Sequence, residues 1–136
     1  MTAPIFHVAL AVDDIATARD FYLNSLGCKE RTDASGSTYS VINFFGAQLV
    51  IIQAPDQVEP SKLDSSIEPV KHFGIIMEWT EWHSFAEELK NKGLNFRIKP
   101  NVKDHPYIGE VGNLFVTDPS GNYIEFKSYR DKSKVL

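Results

Sequence analysis

The chain has 136 residues, of which 43% are hydrophobic and 24% are charged, and its net charge is −4. This length is typical of one domain, and the hydrophobic fraction is sufficient for a buried core. Lysine and arginine form no block beyond a short C-terminal tail, which argues against nucleic acid as a partner. Because no apolar run could span a bilayer and no signal peptide is recognisable, we expect a cytoplasmic protein without a membrane partner.

The first half of the chain predicts a β-α-β-β-β module over about residues 4–53. Residues 5–12 are apolar and β-branched, as in a strand, and Asp13 and Asp14 can cap a following helix. The helix is predicted over 14–26 from its apolar spacing, with Gly27 suited to its C-terminal end. Three short strands are predicted after this helix, over residues 28–33, 38–45 and 47–53.

A lone cysteine begins the second predicted strand. Cys28 cannot form an internal disulfide, and no histidine, lysine or arginine is placed by sequence to lower its pKa. We therefore expect it to be structural.

The same pattern starts again after a polar stretch. Residues 54–69 contain prolines and no sustained period, so they predict a linker or a ligand-covering loop. A second module then follows over about residues 70–129, with a strand over 70–79 and a helix that Thr80 caps and Gly93 ends. Its remaining strands are predicted over residues 94–99, 111–118 and 122–129. Between the first two of these strands, residues 100–109 are predicted as a loop able to close over a site.

Two histidines occupy equivalent places in the repeat. His7 precedes Gly27 by 20 residues, and His72 precedes Gly93 by 21. Strand alternation turns both histidines, and Glu125 in the last strand, away from the face that packs under a helix. If the modules pack about a pseudo-two-fold axis, the three side chains would approach one another in a groove.

The three residue types suit a metal ion. A lone carboxylate in an apolar strand is costly to bury unless a positive charge pairs with it. Two imidazoles and one carboxylate form the facial arrangement that favours Fe²⁺ and also accepts Mn²⁺, Ni²⁺, Co²⁺ or Zn²⁺. We predict one divalent ion held by His7, His72 and Glu125, with iron favoured.

Three segments carry a resemblance to a known superfamily: IFHVALAVDDIATARDFYLNSLGC, KHFGIIM and LFVTDPSGNYIEF. They resemble the vicinal oxygen chelate, or glyoxalase/bleomycin-resistance/extradiol-dioxygenase, superfamily over nearly the whole chain. FFGAQL and HFGIIMEWTEWHSFAEELKNKG are also similar to small single-domain proteins regarded as extradiol-type dioxygenases. The resemblance implies an α+β fold of two tandem βαβββ modules, forming a curved, barrel-like mixed sheet with the metal in its groove. It also implies that His7, His72 and Glu125 are the metal ligands.

The resemblance is incomplete at positions that decide the reaction. Extradiol dioxygenases have a tyrosine where this chain has Phe115, so the hydroxyl that helps with proton transfer is missing. Their upstream histidine falls near residues 106–108, where His105 and Tyr107 are the available catalytic substitutes. Glyoxalase I enzymes have a fourth protein ligand, a glutamate, at the position of Val50, and this chain lacks that ligand.

Other residues are candidates for substrate contacts. Gln48 shares the predicted face of the missing fourth ligand and could touch the metal or the substrate. Tyr123 and Lys127 flank Glu125 on the same face. Phe115 takes the position of the tyrosine that the dioxygenase signature places beside the metal.

Three functions remain open. The first is a metal-dependent enzyme whose small organic substrate chelates the ion through neighbouring oxygens, and an extradiol-type dioxygenase is one such enzyme. The second is a glyoxalase-like lyase or isomerase, or a thiol transferase of the fosfomycin-resistance kind. The third is a metal-free, drug-binding protein of the bleomycin-resistance kind, against which the retention of all three ligands argues. The superfamily resemblance also implies a homodimer, with modules paired within one chain or between chains.

Overall fold

A computed structural model describes residues 4–58 and 71–136 of the chain. The elements occur in the order β-α-β-β-β followed by β-α-β-β-β. Their bounds are β1 His7–Val12, α1 Ile15–Asp20, β2 Lys29–Glu30, β3 Tyr39–Phe44, β4 Ala47–Gln53, β5 His72–Ile76, α2 Trp79–Asn91, β6 Phe96–His105, β7 Gly109–Thr117 and β8 Tyr123–Tyr129. The predicted linker lies outside the described residues from position 59 onward, and its first part contains the 3-10 turn Pro55–Gln57.

The described strands form two four-stranded mixed sheets with the same topology. The strand order is β1-β4-β3-β2 in the first and β5-β8-β7-β6 in the second. In each sheet the first strand is parallel to the last, and the other pairs are antiparallel. The predicted repeat of two βαβββ modules is therefore confirmed, as is the α+β class, although the sheets are not closed into a barrel.

The chain divides into two compact units that follow these sheets. The first unit holds the first sheet, and the second unit holds the second sheet together with α2. One exception is the turn Asp118–Asn122 between β7 and β8, whose contacts place it in the first unit.

The helix of the first module covers nearly the predicted residues but changes its geometry part-way. Asp14 caps it as expected, because its carboxylate accepts a hydrogen bond from the Thr17 backbone N–H at 2.9 Å. After Asp20 the helix widens into a π-helical turn over Phe21–Ser25. Such single π-helical turns are rare. Gly27 follows this turn and adopts a φ of +79°, as is common for a glycine at the end of a helix.

The helix of the second module lies on its sheet through four buried residues at helical spacing, Trp82, Phe85, Ala86 and Leu89. The Trp82 indole N–H donates to the Phe126 carbonyl oxygen at 2.9 Å. Gly112 leaves room for that indole, since a Cβ at this position would lie 2.8 Å from the ring. Glu78, rather than the predicted Thr80, caps the helix, because its carboxylate accepts the first backbone N–H groups.

The prediction of a loop over residues 100–109 is wrong. Strand β6 continues to His105, and the hairpin turns at residues 106–108 before β7 begins. The prolines of this segment indicated a loop because proline has no backbone N–H to donate to a neighbouring strand. Here Pro100 falls in a register shift between Ile98 and Asn101 of β6, which is an edge strand, and both features tolerate proline.

Cys28 is buried and unpaired, which agrees with a structural role. Burial raises the pKa of its thiol to about 11. Among the described helices, none has the length and apolar character needed to cross a membrane.

Candidate metal and substrate site

His72 and Glu125 lie side by side on one face of the second sheet. Their strands β5 and β8 are parallel, with His72 opposite Tyr123 and Gly74 opposite Glu125. The His72 Nε2 atom is 3.5 Å from the Glu125 Oε1 atom, and the two side chains are 32% and 16% exposed. This separation is longer than a good hydrogen bond. The donor atoms of the two side chains therefore lie close together on this face of the sheet.

Two residues of β7 hold this pair in position. The Asn113 side-chain amide donates to the Glu125 Oε2 atom at 3.2 Å. Phe115, the cross-strand neighbour of Glu125, meets the His72 ring edge to face, with centroids 5.0 Å apart. Phe115 is 5% exposed and packs with Tyr123 and the partly buried Ile98. The phenyl ring that replaces a tyrosine thus supports the imidazole.

Sequence reasoning missed Gly74 and Asn113. A Cβ at Gly74 would lie 1.7 Å from the Glu125 carbonyl oxygen, so only glycine permits this pairing of β5 with β8. A glycine inside a strand often marks such a close approach and was the available signal. Asn113 carried no comparable signal, because its contact with Glu125 depends on the register of β7 against β8.

His7 occupies the equivalent position in the first sheet. It lies opposite Gln48 on β4, and its Nδ1 atom is 2.8 Å from the Gln48 side-chain oxygen. An amide oxygen can only accept, so this contact suits the neutral tautomer of His7 that carries its proton on Nδ1 and its lone pair on Nε2. A histidine that binds metal through one nitrogen commonly donates the other N–H to a carbonyl or carboxylate oxygen in this way. Gln48 therefore orients His7 in this structure.

The pairing of β1 with β4 also fixes the position of Val50, the residue found where glyoxalase I has its fourth ligand. Val50 lies opposite Ala9, two residues beyond His7, as Glu125 lies opposite Gly74, two residues beyond His72. Val50 is thus the repeat equivalent of Glu125.

The remaining candidates lie at different distances from the pair within the second sheet. Lys127 follows Glu125 on the same face, with its ammonium 5.2 Å from the centroid of the Tyr129 ring. His105 and Tyr107 lie at the far end of the β6–β7 hairpin, where Tyr107 is 97% exposed. The six steps along β7 from Gly109 to Phe115 correspond to about 20 Å. Within this unit neither hairpin residue reaches Glu125, and their catalytic role stays a prediction.

The donor chemistry fits a divalent ion, because imidazole and carboxylate suit iron, manganese, zinc and their neighbours. In the described ranges 4–58 and 71–136, no group of three or more His, Cys, Asp or Glu side chains is close enough to hold an ion. The pair His72 and Glu125 is present, and the approach of His7 to it stays a prediction.

Residues 5–126 match the Glyoxalase/Bleomycin resistance protein/Dioxygenase superfamily. The chain belongs to this superfamily. A glyoxalase/bleomycin resistance protein/dioxygenase from Alicyclobacillus acidocaldarius is 30% identical, with 98% of this chain and 96% of that chain covered and a TM-score of 0.83. No curated protein matches the sequence.

More distant superfamily structures share the fold alone. The fosfomycin resistance protein FosX from Listeria monocytogenes is 15% identical, covers 100% of both chains and has a TM-score of 0.69. Lactoylglutathione lyase from Agrobacterium tumefaciens is 14% identical, covers 93% of this chain and 94% of that chain, and has a TM-score of 0.63. Proteins of the superfamily are mostly enzymes and commonly bind a divalent metal ion.

Proposed function

We propose that this protein is a metal-dependent enzyme acting on a small organic substrate that chelates the ion through two neighbouring oxygens. His7, His72 and Glu125 are the proposed ligands, with His7 from one module and the other two from the second module. The observation that carries the proposal is the pair of His72 and Glu125, 3.5 Å apart and braced by Asn113 and Phe115.

The charge balance of the pair supports a metal ion. The Glu125 side chain is mostly buried, and a carboxylate in such a place is costly without a positive partner. A divalent ion supplies that partner and, when bound, provides Lewis acidity that polarises substrate oxygens. On the protein side, Asn113 keeps Glu125 oriented, and Gln48 keeps the Nε2 lone pair of His7 available.

Two positions bear on the reaction type. Val50 in place of a fourth ligand leaves coordination room for two substrate oxygens, which suits extradiol-type dioxygenation with Fe²⁺. Phe115 cannot donate or accept a proton, and this favours the second candidate, a lyase, isomerase or thiol transferase that uses a redox-inert ion.

The test begins with metal analysis of protein purified without oxygen, for the wild type and the variants Glu125→Gln and His72→Ala. We expect each variant to lose metal affinity by at least about tenfold, since even residues that only orient ligands contribute about 10–100-fold. His83→Ala is the matched control, because His83 is an exposed histidine of α2. Unchanged metal content in both site variants would contradict the proposed ligands.

The reaction type follows from turnover of the loaded protein. Oxygen consumption with catechols and bound iron would establish the dioxygenase. Turnover of α-hydroxy ketones or thiol adducts with Mn²⁺, Ni²⁺ or Zn²⁺, without oxygen consumption, would establish the second candidate. Tight binding of an aromatic drug by metal-free wild type, with no metal affinity, would instead indicate a binding protein.

A further inference from the structure

The face that carries His72 and Glu125 differs in polarity along the strands. The row of residues that crosses the sheet at Glu125 includes Gly74 on β5 and Phe115 on β7. Near this row, Phe115 and Tyr123 are 5% and 6% exposed and pack with Ile98. Because these aromatic rings are already covered by protein, they leave little surface for a substrate.

The next row along the strands is open. It runs across all four strands of the sheet, from Ile76 on β5 through Lys127 on β8 and Asn113 on β7 to Asn101 on β6. Ile76 is 48% exposed, and Lys127 and Asn113 are half-buried. Two residues of strand separate this row from Glu125, which corresponds to about 7 Å. A small molecule that touches the His72–Glu125 pair therefore has free surface in this direction.

Lys127 and Asn113 supply hydrogen-bond donors to this open row, whereas the Asn101 amide donates to the backbone carbonyls of Lys99 and Asn113. Among the residues described, the Lys127 ammonium makes no ion pair with a carboxylate, and it lies 5.2 Å from the centroid of the Tyr129 ring. That contact positions a cation without neutralising it. The Asn113 amide uses one N–H on Glu125, and a side-chain amide has two.

Two adjacent donor groups, one of them a full positive charge, suit an anionic oxygen group. The exposed Ile76 on the other side suits the hydrocarbon part of the same molecule. We propose that the substrate is a small carboxylic acid, whose carboxylate is bound by Lys127 with Asn113 alongside while two other oxygens chelate the ion. The proposal rests on the metal-dependent function above and makes Lys127 a specificity-determining residue.

The test compares two ligands that differ in one charge. The acid 3,4-dihydroxybenzoate and its methyl ester have the same neighbouring hydroxyls, but only the acid has a carboxylate. Their affinities are measured by calorimetry, without oxygen, on Mn²⁺-loaded full-length protein. We expect the wild type to bind the acid roughly 10–100-fold more tightly than the ester, as for a charged hydrogen bond.

Three variants isolate the contribution of Lys127. Lys127→Met keeps a similar chain length without the charge, so it should abolish the preference by weakening binding of the acid far more than binding of the ester. Lys127→Arg should keep the preference. Lys90→Met is the control, because Lys90 lies on α2, which covers the opposite face of the sheet, and its ion pair is with Glu87.

The outcomes separate this inference from the function it rests on. If the ester binds only with Mn²⁺ present and the acid binds no more tightly, chelation stands and the role of Lys127 is wrong. The role is also wrong if Lys127→Met keeps the full preference. If neither ligand binds the loaded wild type, the chelation proposal fails and the inference fails with it.

Discussion

Gly74 lies opposite Glu125 in the parallel pairing of β5 with β8. A Cβ here would be 1.7 Å from the Glu125 carbonyl oxygen, and backbone cannot give way as a flexible side chain would. This residue contributes no donor atom to the proposed site. Its effect is to let two parallel strands carry His72 and Glu125 within 3.5 Å of each other.

We predict that Gly74→Ala destabilises the protein and weakens metal binding together. The added methyl group must push β5 away from β8, and forcing extra volume into a packed site costs about 1–3 kcal/mol. Urea unfolding measures the stability change, and metal titration measures the loss of affinity. Ile76→Ala is the control, because this side chain on the same strand is 48% exposed. A Gly74→Ala protein as stable as the wild type would show that the strands can separate at no cost.

The turn Asp118–Asn122 is stabilised by contacts with residues that are distant in sequence. Asp118 is 3% exposed, and its carboxylate accepts from the Tyr22 hydroxyl at 2.8 Å. Backbone N–H groups of Ser120 and Asn122 donate to its other oxygen. Burial, and then the nearby Asp118 carboxylate, raise the pKa of Tyr22 well above its usual value. The turn belongs to the first unit through these contacts, although its neighbours in sequence belong to the second.

We predict that Tyr22→Phe lowers the free energy of unfolding by about 1–3 kcal/mol, the usual cost of removing one partner from a buried charged group. Urea unfolding is the measurement. Tyr39→Phe is the matched control, since Tyr39 is 42% exposed and should tolerate the change within about 0.5 kcal/mol. Equal stability of the two variants would mean that the Asp118 carboxylate does not depend on Tyr22.

At the scale of the whole molecule, two units with the same strand order each present one histidine at the same register position. The ligands proposed above are His7 of the first module and His72 and Glu125 of the second. A ligand that binds only the folded protein stabilises it by an amount set by its concentration relative to its dissociation constant.

We predict that Mn²⁺ at a hundredfold excess over its dissociation constant raises the melting temperature by roughly 5–10 °C, from about 2.7 kcal/mol of binding free energy. The shift should be lost in Glu125→Gln and in His7→Ala, and kept in His83→Ala. Differential scanning fluorimetry with and without Mn²⁺ measures it. A full shift in His7→Ala would show that the ion is held without the first module.

Local patterns in the sequence determined the element types, the repeat and the faces of the strands. Alternation and helical spacing are properties of neighbouring residues, so the βαβββ order, the Asp14 cap and the shared face of His72 and Glu125 could all be predicted. The resemblance of three segments then identified the superfamily, which the match over residues 5–126 confirms.

Tertiary structure decided what depends on residues far apart in the chain. Pro100 lies within a strand because β6 is an edge strand with an irregular register, which no local pattern reveals. Asn113 orients Glu125, and Phe115 supports His72, because antiparallel pairing of β7 with β8 sets their register. Tyr22 meets Asp118 across 96 residues of sequence. A sequence states which side chains are present, whereas the pairing of strands determines which of them touch.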